Sequence, residues 1–557
     1  MNCKSNCPKL PWMVDFNSNE AKEILDNQYE AAFAQRHMEY LSKLNMKSRP
    51  NRFRCTQLVC LITPNTPITT MVDLLTDGMT VAMVCAHKTE KCKEIISKLR
   101  TLVEGYSRRI GRVYPLGVAL EIKGPEIRIG ALKGSSKKIF LEKGKVTKLT
   151  TQTSYEEFVC ADMIYVDYEK LPEVVQPGDK VVLDNGSVTL TALECVESII
   201  RCIVEKAGML VSRASVTVPN AIVDVPKLSA TDRELMKMAV TEAVDYLFVS
   251  GIQNKQSILD VKDLLGLSGD SIYVIAKIDN YSAVENIDEI IKCSDGIFVD
   301  CERMLTEMPK EKIFLVQKSI SAKCNLAGKP VIVTASISDP RCLSKAEISD
   351  LSNVIMEGCD ALLLPREANN REMLKSVTVI CKEAEPAVHQ KHIFDDLLTN
   401  FPAPMEPIYS LVVGVVQAEA TSKAAAIICL TSSGRTAKLI SRFKPRCPII
   451  VITRYPRVAR MLSIYRGVEA LLYVKPFCGH WHTDVDNRIQ LGVTYGKYIG
   501  YIRSGDIVIT IMPSRPECGL PNTMRILYAS EFDTLPVNQS GEKKMSIPLC
   551  ISRLKNR

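Results

Sequence analysis

The stretch Ser271–Leu305, SIYVIAKIDNYSAVENIDEIIKCSDGIFVDCERML, decides how the rest of the chain is read. It holds an apolar run from Ile272 to Ile278, a short amphipathic segment, and a second apolar run from Gly296 to Asp300. Runs that are apolar at every position suit parallel strands buried on both faces, and the amphipathic piece between them suits a crossover helix. Lys277 and Asp279 end the first run; Asp300, Glu302 and Arg303 end the second. In α/β proteins, polar residues just past the C-terminal ends of such strands are where chemistry sits.

The same unit recurs on both sides. QLVCLI (57–62), TVAMVCA (80–86) and GVALEI (117–122) alternate with helical patterns before it, and YLFVS (246–250), PVIVTA (330–335) and ALLL (361–364) complete the series. Three strands, then five more, predict a parallel (β/α)8 barrel built from residues 51–123 and 226–395. Residues 124–225 have a different texture. Short β-branched runs are punctuated by turn signals such as PGDK (177–180) and DNG (184–186), which predicts an inserted small antiparallel β domain. Proline-rich FPAPMEP (401–407) reads as a linker. Beyond it, residues 404–530 predict a C-terminal α/β domain with strands AIICLT, PIIVIT, ALLYV and DIVITIM. Residues 1–50 read as an extension ending in a lead helix over Glu20–Leu44, and residues 531–557 as a flexible polar tail.

Composition narrows the function classes. The chain of 557 residues carries a formal charge of +8, spread along its length rather than blocked, which argues against a nucleic-acid binder. It has 20 cysteines but no C-x-x-C pair, and most of them lie inside apolar patterns, so zinc-scaffold and disulfide-framework readings are weak. No apolar run reaches the length of a membrane span. Five acidic residues in the first thirty, with no arginine before Arg36, argue against a transit peptide. A cytoplasmic enzyme-like fold is expected.

The order of lead helix, barrel, insert after the third strand and C-terminal α/β domain, with GVALEIKGPEIRIG (117–130), SDGIFVD, SRFKPRCPIIVITR (441–454) and PNTMRI (521–526), resembles the pyruvate kinase family from about Phe33 to Arg525. The resemblance implies phosphoryl transfer between phosphoenolpyruvate and ADP, giving pyruvate and ATP, with the divalent cation Mg2+ and with K+. That chemistry rests on positioning and charge neutralisation, so the cation sites matter most.

Carried over position by position, the resemblance gives Lys277 the role of stabilising the moving phosphoryl group, and places Asp279 where a glutamate holds the metal. The second metal carboxylate is replaced by Arg303. Met83 stands for an arginine that binds substrate phosphate, and Cys85 and His87 for potassium ligands. Glu121 and Ile122 replace the aspartate and threonine that complete the potassium site, and Ala335 replaces a catalytic threonine. Lys123 and Arg128 of KGPEIR match the region that meets nucleotide.

In the C-terminal part, Thr431-Ser432-Ser433-Gly434-Arg435-Thr436 follows a strand and opens a helix, a pattern that cradles phosphate. It resembles the family's fructose 1,6-bisphosphate pocket, to which Trp481 and Arg488 also correspond. The expectation is a pyruvate kinase relative with lost or strongly reduced turnover, working as a homotetramer or beside an active paralogue. Two alternatives remain open: an enzyme with a rearranged cation site, and a phosphosugar sensor.

Overall fold

Eight short apolar strands close into one ring: β1 (Gln57–Ile62), β2 (Val81–Val84), β3 (Gly117–Ile122), β4 (Tyr246–Val249), β5 (Tyr273–Ile278), β6 (Gly296–Val299), β7 (Val331–Thr334) and β8 (Ala361–Leu364). All neighbours are parallel, and β8 pairs with β1 to complete the barrel. The computed structural model describes residues 28–530 apart from 86–88, 123, 125–126, 135–137, 185, 197, 220–227, 306, 366–368, 402–403 and 517–518. His87, Lys123 and the expected tail therefore lie outside the described residues, as does the first part of the lead helix.

Strand alternation sorts the apolar runs into two cores. Val59, Met83, Phe248, Ile275, Phe298 and Ile332 point into the barrel, while Leu58, Val84, Leu247, Val274, Ile297 and Val333 pack against the outer helices. The barrel's N-terminal end is closed by the C-terminal domain. Tyr246, the first residue of β4, donates its hydroxyl to the Arg460 carbonyl at 2.9 Å, and the Gln57 amide donates to the Tyr465 and Val468 carbonyls. The opposite, C-terminal end is the mouth.

The insert between β3 and β4 contains a six-stranded sheet and a two-stranded sheet around its own core, which includes Leu149, Leu183 and Leu190. Its strand pairings are antiparallel apart from Val146–Thr150, which runs parallel to Met163–Tyr165; the isolated bridge between Leu132 and Val159 is parallel as well. The C-terminal sheet has strands β9 (Ala426–Leu430), β10 (Ile449–Thr453), β11 (Val468–Leu472), β12 (Ile507–Met512) and β13 (Thr523–Tyr528) in the order β11-β10-β9-β12-β13. The first four are parallel, and β13 is an antiparallel edge strand that periodicity did not single out. The lead segment is also corrected: over its described part it is two short helices, Tyr29–Ala32 and His37–Ser42, rather than one. Tyr40 anchors it, its hydroxyl donating to the carbonyls of Pro386 and Val388.

Among the described residues the cysteines are all free thiols. No described helix is long and apolar enough to cross a membrane.

Candidate active site at the barrel mouth

Three strand ends supply the charged groups of the mouth. Lys277 continues the inward alternation of Ile275 on β5, and Glu121 that of Ala119 on β3. Asp300 follows β6 and caps the short helix Cys301–Met304, accepting from the Arg303 backbone N–H at 3.3 Å. Lys277 Nζ stands 2.9 Å from Asp300 Oδ2 and 3.4 Å from Glu121 Oε1, above the Phe298 ring. Burial alone would lower the Lys277 pKa, but Asp300, Glu121 and Asp279 together outweigh it and raise it above the usual range. Burial likewise pushes Asp300 up, and the Lys277 ammonium more than reverses this, leaving its carboxyl below its ordinary value.

Asp279 is the most enclosed of the three carboxylates, with a side chain 3% exposed. Its Oδ1 accepts from the Asn280 amide at 3.0 Å. Oδ2 accepts no hydrogen bond and is faced by Arg303 Nη1 at 3.5 Å. Burial raises the Asp279 pKa, and the neighbouring Arg303 and Lys277 charges only partly offset it. Arg303 has not swung into solvent, so the arrangement in which Asp300 or Glu302 takes over as a metal carboxylate is not the one adopted.

The other positions spread out. Met83 is 2% exposed and shares the barrel-interior cluster with Phe248 and Phe298. Cys85 is half-buried just past β2, its backbone N–H donating to the Ile62 carbonyl. Ile122 is turned into the layer between barrel and helices, away from Glu121. Ala335 packs in that outer layer too, and it is Thr334 that shares the inward face of Ile332. Arg128 lies in the insert, bridged to Ser215 and with its backbone N–H donating to Asp167 Oδ1 at 2.5 Å.

These residues do not fit a divalent metal. Asp279 Oδ2 accepts no hydrogen bond, but the group that faces it is already a cation: the Arg303 guanidinium, on the residue that the sequence resemblance sets in place of the second carboxylate. Asp300, the nearest alternative, is engaged by Lys277. Among the described residues no group of three or more His, Cys, Asp and Glu side chains converges as a ligand set.

The C-terminal loop lies at the carboxyl edge of its own parallel sheet, where ligands of open α/β folds bind. Thr431 follows β9, and Gly434, at φ 80°, starts the helix Arg435–Arg442. Thr431 Oγ1 accepts from the Gly434 N–H at 2.9 Å and Ser433 Oγ from that of Arg435 at 3.4 Å. Ser432 and Ser433 are exposed, and Thr436 is buried. Arg435 pairs with Glu406 at 2.9 Å. Past β10 and on the helix Trp481–Ile499, the buried Asp484 holds Arg454 at 2.6 Å and Arg488 at 2.8 Å, with Arg488 over the Trp481 ring.

Comparison with known proteins agrees over nearly the whole chain. Residues 53–375 match the family model for the pyruvate kinase barrel domain, and residues 410–527 that for the pyruvate kinase alpha/beta domain. The human protein named pyruvate kinase PKLR is 35% identical over 516 residues, covering 90% of either chain. Pyruvate kinase 2 of Candida glabrata is 32% identical over 87% of this chain and 96% of its own. Pyruvate kinase 1 of Trypanosoma brucei brucei is 31% identical over 86% and 96%. With barrel, insert and C-terminal domain all in the corresponding order, the chain belongs to the pyruvate kinase family.

Proposed function

We propose that this chain is a pyruvate kinase homologue with lost or strongly reduced turnover of phosphoenolpyruvate and ADP, serving in the cytoplasm as a regulatory or structural subunit. The observation that carries this reading is the Arg303 guanidinium 3.5 Å from Asp279 Oδ2. Phosphoryl transfer depends on cations that neutralise the moving group, and a fixed side-chain cation that is itself paired to the metal carboxylate opposes a mobile divalent ion there. Met83 and Ile122 weaken the phosphate and potassium subsites in the same direction. Lys277 is retained, but Asp300 and Glu121 hold it. The apolar strands are intact, which favours a role as a folded partner, in a homotetramer or with an active paralogue.

A second reading concerns the loop Thr431–Thr436, whose hydroxyls and helix start favour phosphosugar binding, with fructose 1,6-bisphosphate the ligand of that class. The Arg435–Glu406 pair is exposed and of small worth, about 0–1 kcal/mol, so an anion displaces it at little cost.

The test is turnover by the purified protein with magnesium and potassium, beside Lys277→Met, in an assay sensitive to rates about 10⁵-fold below a typical enzyme's. Equal traces in both proteins are expected. Activity that disappears in Lys277→Met would mean a working, rebuilt site and would end the first reading.

A further inference from the structure

A cavity of about 240 Å³ lies between the barrel floor and the C-terminal domain, apart from both sites described above. Its walls are the segments that precede strands: Asn51–Phe53 and Cys55 before β1, Lys423–Ala425 before β9, Lys444–Cys447 before β10 and Tyr501–Asp506 before β12. Ala32 of the lead segment and the corner Glu385–Gln390 complete it. The barrel mouth and the loop Thr431–Thr436 are at carboxyl ends of their strands, so this cavity is a separate place, where lead segment, barrel and C-terminal domain meet.

Its lining is strongly cationic. Arg52, Lys423, Lys444, Arg446, Arg466 and Arg503 face three lining carboxylates, and the buried Asp360 pairs with Lys444 at 3.3 Å, which leaves an excess of two positive charges. Each carboxylate is also fastened by neutral donors. Glu385 accepts from the backbone N–H groups of Cys55 and Thr56 and from the Thr56 hydroxyl. Glu419 accepts from the Gln390 amide at 3.0 Å, and Asp506 from the Arg503 backbone N–H at 2.7 Å. Two lining residues more than nine-tenths buried keep unsatisfied atoms: Arg466 Nε donates to nothing, and Asn51 Oδ1 accepts nothing.

Lys423 is held here at a local cost. It ends the helix Pro407–Ser422 in the left-handed conformation, φ 51°, which disfavours a side chain by about 1–2 kcal/mol. Its Nζ lies over the Phe33 ring and reaches the Ala32 carbonyl only at 3.4 Å. Burial lowers its pKa to about 8, with the Arg446 charge adding to that and Glu419 opposing it. Cations in excess, buried polar atoms without partners and a strained lysine in one cavity describe a binding site.

We propose that this cavity binds a small organic dianion, of the phosphate-monoester or dicarboxylate class, and so ties the lead segment and the C-terminal domain to the barrel floor. The volume is below that of drug-sized pockets, roughly 300–1,000 Å³, and suits a metabolite of a few carbons. Lys423, bearing on the lead segment through Phe33 and Ala32, is the residue through which occupancy is felt there.

The experiment is calorimetric and thermal-shift titration of the full chain with inorganic phosphate and with malonate, which separates the two ligand classes. One or both should bind saturably and raise Tm. Lys423→Asn, which tolerates the left-handed backbone, and Arg446→Met should each weaken binding about tenfold or more, with circular dichroism confirming the fold. Arg201→Ala, at an exposed position of the insert away from both sites, should leave it unchanged. Affinity should fall as pH rises through about 8, where Lys423 loses its proton. Absent saturation, or binding that survives both cavity substitutions, would overturn the proposal.

Discussion

Reversing the charge at residue 303 tests the reading of the barrel mouth most directly. A divalent ion bonded to Asp279 Oδ2 at about 2.1 Å would lie within about 5.6 Å of Arg303 Nη1, since that nitrogen is 3.5 Å from the same oxygen. At an effective dielectric of about 20, a double charge that close to a guanidinium is opposed by about 6 kcal/mol, more than four powers of ten in affinity. Arg303→Asp removes this opposition and adds a carboxylate. Side-chain motion relieves part of the repulsion in the natural protein, so the expected gain in Mn2+ affinity is at least about 100-fold. Arg303→Ala should fall between the two. Titration followed by the electron paramagnetic resonance of free Mn2+ measures this without any need for catalysis. The same variant should melt lower than the natural protein without metal, because two carboxylates then face each other, and recover when Mn2+ is added. Micromolar Mn2+ binding by the natural protein, unchanged in Arg303→Asp, would refute the reasoning.

Other outcomes follow from the same structure. Asp300 has a folded pKa below its ordinary 3.8, so its pairing with Lys277 stabilises above that pH and is lost as pH falls through the folded value; Asp300→Asn should flatten urea midpoints between pH 5 and 3. Glu347, held at about 2 chiefly by the Ser338 and Ser344 backbone N–H groups, acts in the same direction: its contribution is complete above 4.5 and disappears toward 2. Glu347→Ala, which also breaks the capping box with Ser344, should cost about 1 kcal/mol at pH 7 in denaturant unfolding and less at pH 3. At Gly434, φ is 80° and an added Cβ would sit 3.3 Å from Val458 and Leu462, so Gly434→Ala should destabilise by about 1–2 kcal/mol. A thermal shift with fructose 1,6-bisphosphate, if the loop binds it, should disappear in Arg488→Ala.

The barrel was legible because its strands are buried on both faces, leaving runs such as YVIAKI and GIFVD with no polar interruption until the mouth. The edge strand β13 escaped notice for the opposite reason: Arg525 and Ile526 are both exposed, so its residues carry no burial pattern. The lead helix was drawn as one because its apolar spacing continues through the break between Ala32 and His37, where Phe33 ends the first helix and Arg36 takes an extended backbone that spacing does not record. At the mouth, the sequence could place Lys277, Asp279 and Arg303 at neighbouring strand ends. It could not say which charges pair. That depends on Asp300 capping its own short helix, which aims one carboxylate oxygen at Arg303 N and the other at Lys277.

This division has a physical cause that bears on the proposed role. The inward residues of the barrel's middle, such as Ile275, Phe298 and Ile332, are locked by packing, and any change there costs stability. Side chains at the C-terminal ends project into the mouth, where substitution alters charge and leaves the layers beneath untouched. Selection for a folded, partner-competent subunit therefore constrains the strands and leaves the mouth free to exchange a carboxylate for an arginine. The exchange adds two positive charges at residue 303, the same charge a bound divalent ion would bring. On the proposed reading Arg303 would do more than oppose a metal: it keeps the buried Asp279 compensated without one, so that the barrel mouth would hold its fold whether or not an ion is present. Chelation should accordingly leave the Tm of the natural protein unchanged, while lowering that of Arg303→Asp loaded with Mn2+.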